Sequence, residues 1–138
     1  MEIQFFIPMK LPTITHQQKQ VHVKNGKPVF YEPDKLKDAR QKFMAHLGQH
    51  VPKQKMTGPV QLVTKWYYTN SKKENGKYKT TKPDTDNMVK LVKDVMTDLG
   101  YWQDDAQVAS EFIEKLWGIV PGLYVYIKEL DNEQNQIK

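Results

Sequence analysis

Residues 82–100 read "KPDTDNMVKLVKDVMTDLG", and this stretch carries the clearest secondary-structure pattern in the chain. Its apolar residues recur at helical spacing, which predicts a helix from Asp86 to Leu99 that ends at Gly100. The residues that set this spacing are Met88, Val92, Val95, Met96 and Leu99. Asp86 is typical of a residue that caps a helix start, so that residue alone requires no functional explanation. Asp84, two positions earlier, has no such duty and is the stronger indication of a functional site.

The residues before this stretch predict one more helix and four strands. A strand is expected over 2–7, and a hairpin over 20–31, "QVHVKNGKPVFY", because an Asn-Gly dipeptide between alternating segments is a strong hairpin signal. A first helix is expected over 34–48 from apolar residues at helical spacing. Those residues are Leu36, Ala39, Phe43 and Leu47. β-Branched and aromatic residues predict a strand over 60–68.

The residues after it predict a turn over 101–107 and two strands, over 108–117 and 123–130, which we expect to pair as a hairpin. The resulting order of elements indicates an α+β domain with a mixed, largely antiparallel sheet packed by two helices. Residues 1–130 are expected to form a single domain, and residues 131–138 a polar C-terminal tail.

Composition limits the classes of function. The 138 residues carry a formal net charge of +5, which favours a polyanionic partner such as nucleic acid. Cysteine is absent, which excludes disulfides and thiolate zinc sites. No apolar run reaches the roughly 20 residues of a membrane span, and the N-terminus lacks the pattern of a signal peptide. We therefore expect a cytoplasmic protein with no membrane partner.

Acidic residues are concentrated between Asp84 and Asp105. Six acids and two lysines give this segment a charge of −4, so the rest of the chain carries +9. Carboxylates are the ligands that Mg²⁺ prefers, and a basic surface around them would hold a phosphodiester backbone. Asp104 and Asp105 could rejoin Asp84 and Asp86 only if the strand after the second helix runs back beside the strand before it. The spacing leaves this open, because acids in such a segment are also common as turn residues.

Lysine-rich segments are the candidate DNA contacts. The loop "TNSKKENGKYKTTK" between the fourth strand and the second helix contains almost nothing to bury. Its lysines are typical of a phosphate-binding loop, although lysines in a solvated loop also serve solubility alone. They are Lys72, Lys73, Lys77, Lys79 and Lys82.

The stretch 82–108, "KPDTDNMVKLVKDVMTDLGYWQDDAQV", resembles the signature of the RusA family of Holliday junction resolvases. The shared pattern is a basic residue, Asp-x-Asp-Asn, a lysine one turn later, an aspartate four residues after it, a helix that ends in glycine and aromatic residues, and Asp-Asp-x-Gln-Val. Upstream, "LPTITHQQKQVHVKNGKPVFYEP" is similar to the family's early segment more loosely. Where many relatives have Arg-Pro-Arg, this chain has Gln17, Gln18 and Lys19.

The resemblance implies a RusA-like fold and specific roles. Asp84, Asp86 and Asp105 would bind Mg²⁺, or alternatively Mn²⁺, as the catalytic acids, with Asp104 beside them and Lys90 as an essential charged helper. From the basic composition, and not from the resemblance, Lys19 and the lysine-rich loop are expected to contact DNA. A symmetric homodimer would nick two strands of a four-way junction.

Three hypotheses follow for the function. The first is a magnesium-dependent, structure-selective endonuclease that resolves Holliday junctions by paired symmetric nicks. The second is a broader nuclease for branched DNA or flaps with the same acids. The third is a non-catalytic DNA-binding accessory protein whose acids are structural.

Overall fold

The computed structural model describes residues 1–13, 20–24, 26–31, 34–72 and 74–131. They form six strands and two helices. In chain order these are β1 (Glu2–Pro8), β2 (Gln20–Lys24), β3 (Lys27–Tyr31), α1 (Asp34–Leu47), β4 (Val60–Tyr68), α2 (Thr85–Leu99), β5 (Val108–Trp117) and β6 (Gly122–Glu129). Every strand and helix expected from the sequence is present, and the α+β class is confirmed. Among these residues no helix is both long enough and apolar enough to cross a membrane.

The main sheet has the strand order β1-β6-β4-β5, and β2 pairs with β3 as a separate antiparallel hairpin. Within the main sheet β5 runs parallel to β4, whereas β6 is antiparallel to both β1 and β4. The predicted β5–β6 hairpin is therefore wrong, because β6 lies between β1 and β4. Burial explains the difference: Leu123, Val125 and Ile127 of β6 are completely buried, while Phe112 of the edge strand β5 is 57% exposed.

The core lies between the sheet and the two helices. The residues of β4 alternate between buried and half-buried positions along the whole strand, as expected for a central strand covered on one face. Phe43 of α1 packs edge-to-face against Trp66 of β4, with ring centroids 6.1 Å apart. The four residues that predicted α1 are all buried, and so are Met88, Val92, Val95 and Met96 of α2.

The β4–α2–β5 unit sets the positions of the acids. Because β4 and β5 are parallel, α2 must run back across the sheet between them. Asp84, just before α2, therefore lies at the edge where β4 and β5 end. Asp105, just before β5, lies at the opposite edge, where those strands begin.

Candidate active site

The start of α2 differs by one residue from the prediction. The helix begins at Thr85, so the N-cap position belongs to Asp84, whose backbone is extended (φ −73°, ψ 147°). Asp86 lies inside the first turn, and its prediction as the capping residue is wrong. The Asp84 side chain nevertheless makes no capping hydrogen bond. Both carboxylates are exposed, so the pair is available to a ligand.

The solvent-facing side of α2 forms a charged stripe. Asp86, Lys90, Asp94 and Asp98 follow one another at four-residue intervals, which places them on one helix face. Asp86, Lys90 and Asp98 are exposed, whereas Asp94 is half-buried. Lys90 thus lies one turn from Asp86 with its ammonium group at the surface.

Asp105 lies in the turn before β5, and the side chains of Asp104 and Gln107 stabilise this turn. Asp104 caps a single 3₁₀ turn, Asp105–Gln107, and its Oδ1 accepts a hydrogen bond from the backbone N–H of Ala106 at 2.9 Å. Gln107 completes the capping box and donates to the carbonyls of Met56 and Gly58, both at 3.0 Å. The Asp104 carboxylate is therefore used in a hydrogen bond within the turn, and both Asp104 and Asp105 are exposed.

The charge of Asp105 is disfavoured by its surroundings. Slight burial raises the pKa of its carboxyl, and the hydrogen bond and charge of Asp104 raise it further. The negative charge of Asp94 adds to the rise, while Lys93 opposes it. A cation bound at this position would relieve this repulsion.

Within one chain the structure does not bring Asp105 to the Asp84 and Asp86 pair. Asp105 lines an open cavity with Arg40, Thr97 and two acids near the end of α2, Asp94 and Asp98. The helix rise of 1.5 Å per residue puts Asp98 about 18 Å from Asp86 along the axis. In the described ranges no group of three potential metal ligands is arranged to hold an ion. A single copy therefore does not provide the three-acid metal site that the resemblance implies.

The lysine-rich loop divides into exposed and buried lysines. Lys72, Lys77 and Lys82 are exposed, as a phosphate contact requires. Lys79 is only 8% exposed, and its Nζ lies 4.8 Å from the ring centre of Trp117 and 5.2 Å from that of Tyr68. The prediction of Lys79 as a DNA contact is corrected, because its ammonium group is already enclosed by aromatic rings. Lys19 and Lys73 lie outside the described residues.

Comparison with known proteins identifies the family of this chain. The model of the endodeoxyribonuclease RusA family matches residues 8–128. The chain belongs to the RusA family. It is 32% identical over 132 residues to the crossover junction endodeoxyribonuclease rusA of Lactococcus phage r1t, an alignment that covers 94% of this chain and 88% of the phage protein. It is also 37% identical over 120 residues to YqaN of Bacillus subtilis strain 168, which covers 78% of this chain and 84% of YqaN.

Membership in the RusA family makes this chain an endodeoxyribonuclease, an enzyme that hydrolyses phosphodiester bonds within DNA. This sets aside the third hypothesis of a non-catalytic binding protein. The matched range includes all the acids discussed above and the loop of lysines before α2.

Sequence reasoning missed one lysine in this RusA chain. Lys115 of β5 donates from Nζ to the carbonyl oxygens of Thr81 at 2.7 Å and Pro83 at 2.9 Å. These two residues lie immediately before Asp84. In the sequence Lys115 follows Glu114 in a strand with mixed polarity, so no local pattern distinguishes it from a surface lysine.

Proposed function

We propose that this RusA-family enzyme is a magnesium-dependent, structure-selective endonuclease that resolves Holliday junctions by paired symmetric nicks, and that it acts as a homodimer. The single observation that supports this most strongly is the exposed carboxylate of Asp84, which sits at the N-cap of α2 without making a capping bond. The likeness to a phage crossover junction endodeoxyribonuclease supports the choice of substrate.

The positions of the acids on α2 support a site shared between two copies. Asp84 and Asp86 lie at one end of the helix, and Asp105 lies beside the other end. A two-fold axis across the middle of α2 would reverse the helix of the second copy, so the start of each helix would face the end of the other. Each dimer would then contain two equivalent sites, each with Asp84 and Asp86 from one copy and Asp105 from its partner.

These three carboxylates would hold Mg²⁺, or Mn²⁺ in its place. When bound, the ion supplies neutralisation of the phosphate charge and an activated water. Lys90, exposed one turn after Asp86, would stabilise negative charge that develops on the phosphate or the leaving oxygen. The two-fold axis would place both sites symmetrically on a four-way junction, as paired nicks require.

DNA binding would depend on phosphate contacts from the exposed lysines. Lys72, Lys77 and Lys82 lie in the segment that leads to Asp84, so a backbone bound there would pass the acids. Lys73 and Lys19 are proposed as further contacts. Such contacts read the shape of the junction more than its base sequence.

Cleavage of a synthetic four-way junction tests the function. With Mg²⁺ the purified protein should introduce symmetric nicks, and Asp84→Asn should abolish cutting while the affinity for the junction stays the same. Lys90→Ala should slow cutting at saturating DNA. Equal cutting of flaps would favour the broader branched-DNA nuclease, and binding with no metal-dependent cleavage would refute the proposal.

Mixing two inactive variants tests the shared site. In a heterodimer of Asp84→Asn and Asp105→Asn, one shared site carries both substitutions and the other carries neither. Random exchange of subunits should therefore restore about a quarter of the active sites. If each site came from one chain, the mixture would stay inactive, and the proposed arrangement would be wrong.

A further inference from the structure

Two lysines from different elements bind the segment that ends at Asp84. The Nζ of Lys79 donates to the hydroxyl of Thr81 and to the carbonyl of Lys82. The Nζ of Lys115 donates to the carbonyls of Thr81 and Pro83. The three carbonyl groups that directly precede Asp84 all accept a hydrogen bond from an ammonium group.

Lys79 and Lys115, with their hydrogen bonds to residues 81–83, form a clamp. The backbone that carries these two lysines is fixed to the sheet. The backbone N–H of Lys79 donates to the carbonyl of Lys115 at 2.9 Å, and that of Trp117 donates to the carbonyl of Lys77 at 2.8 Å. The carbonyl of Trp117 in turn accepts from Gly76 at 2.7 Å. Segment 76–79 therefore lies along the outer edge of β5, and both ammonium groups start from backbone that cannot easily shift.

The clamp brings two like charges together in a partly buried place. Burial lowers the pKa of Lys79, and the neighbouring charge of Lys115 lowers it further. Enclosing one ammonium between Tyr68 and Trp117 beside a second is unfavourable unless both are well hydrogen-bonded. Here the hydrogen bonds to the carbonyls of residues 81–83 satisfy both ammonium groups. These residues lead directly into α2.

We infer that Lys79 and Lys115 are positioning residues of the nuclease site, which hold the backbone of residues 81–83 and thereby fix the position of Asp84, the proposed metal-binding acid. Neither lysine touches DNA in this role. The inference rests on the proposed function of Asp84 and adds the element that orients it. Asp84 needs such support because its own side chain makes no capping bond to fix it.

The test compares Lys115→Met with Lys77→Met. Methionine keeps much of the length of lysine but has no donors. Lys77 is a matched control from the same region, because its side chain is 72% exposed and its Nζ only approaches Glu74 at 3.9 Å. Lys115→Arg retains donors and charge at the clamp, and it serves as the conservative variant.

Lys115→Met should lower the single-turnover rate of junction cleavage at saturating DNA on the order of tenfold to a hundredfold, the scale expected when a reacting group is displaced by about 1 Å. Its affinity for the junction should stay within about twofold, and Lys115→Arg should recover part of the rate. Lys77→Met removes a proposed phosphate contact and not a clamp bond, so its effect should appear as weaker junction binding.

Hydrogen exchange measured by mass spectrometry gives a second readout that needs no cleavage. In Lys115→Met the peptide covering residues 80–88 should exchange faster, while peptides from α1 should not change. Unchanged exchange in that peptide, or faster exchange with a normal cleavage rate, would overturn the inference. So would a loss confined to DNA affinity, which would make Lys115 a phosphate contact. An inactive wild-type protein would instead refute the proposed function, and the exchange result would then report on the clamp separately.

Discussion

Gln107 offers a direct test of how the Asp105 turn is held. Its side-chain oxygen accepts from the backbone N–H groups of Gln103 at 2.9 Å and Asp104 at 3.0 Å. Its side-chain nitrogen donates to the carbonyls of Met56 and Gly58, both at 3.0 Å. One side chain thus ties the turn that carries Asp105 to the residues before β4.

Gln107→Ala should lower the free energy of unfolding by about 2 kcal/mol, since it removes four hydrogen bonds and each partly exposed bond contributes about 0.5 kcal/mol. For a domain of this size the loss corresponds to a fall in Tm of about 6 °C. Urea denaturation followed by tryptophan fluorescence measures it. Cleavage should also fall, because the Asp105 backbone loses its anchor.

Two further variants sharpen this test. Gln103→Ala removes an exposed glutamine from the same turn and should change the unfolding free energy by less than about 0.5 kcal/mol. Gln107→Glu keeps the acceptor but loses the donors to Met56 and Gly58, so it should destabilise the protein too. If Gln107→Ala has the stability of the wild type, other contacts hold the turn, and Gln107 does not anchor Asp105.

Three other measurements test the fold. Gly122→Ala should cost about 3 kcal/mol of stability, because its Cβ would lie 2.4 Å from the carbonyl oxygen of Ile7, whereas Gly58→Ala, whose Cβ meets nothing within 4 Å, should cost less than about 1 kcal/mol. Thr64→Val should raise the unfolding free energy by about 1 kcal/mol, since the completely buried Thr64 hydroxyl has no hydrogen-bond partner among the described residues; an unchanged value would indicate a bound water there. Burial raises the pKa of Tyr101, so the unfolded chain releases this proton at lower pH than the folded protein, and stability should fall as pH rises above about 10. Urea titrations at pH 9 to 11 should give a shallower fall for Tyr101→Phe, and equal slopes would contradict the assignment.

Local patterns predicted the helices and strands well, because apolar spacing and turn residues within a short segment largely determine these elements. The helical spacing in 82–100 reflects the buried face of α2, and Gly100 ends the helix with a positive φ of 91°, as its position indicated. The error in the α2 start arose because Asp84 and Asp86 are equally good capping residues in sequence. Only the backbone conformation distinguishes them.

Features that depend on contacts between distant segments could not be predicted in this way. The pairing of β6 with β4 follows from which strand buries more apolar surface, and not from the short connector after β5. Lys79 has the same sequence context as its exposed neighbours, yet Tyr68 and Trp117 from two different strands enclose it. For Asp105, the six acids of the segment showed that a charged site was plausible. Their sequence separation did not reveal that Asp105 lies near the end of α2, far from Asp84 and Asp86 at its start.

The length of α2 has a consequence for control of the enzyme. If each cutting centre needs acids from both ends of this helix, a lone copy is inert, and activity follows the concentration of paired chains. At low expression we expect cleavage to rise roughly with the square of the amount of protein, since both halves must meet first. DNA would then remain uncut until enough copies accumulate to pair.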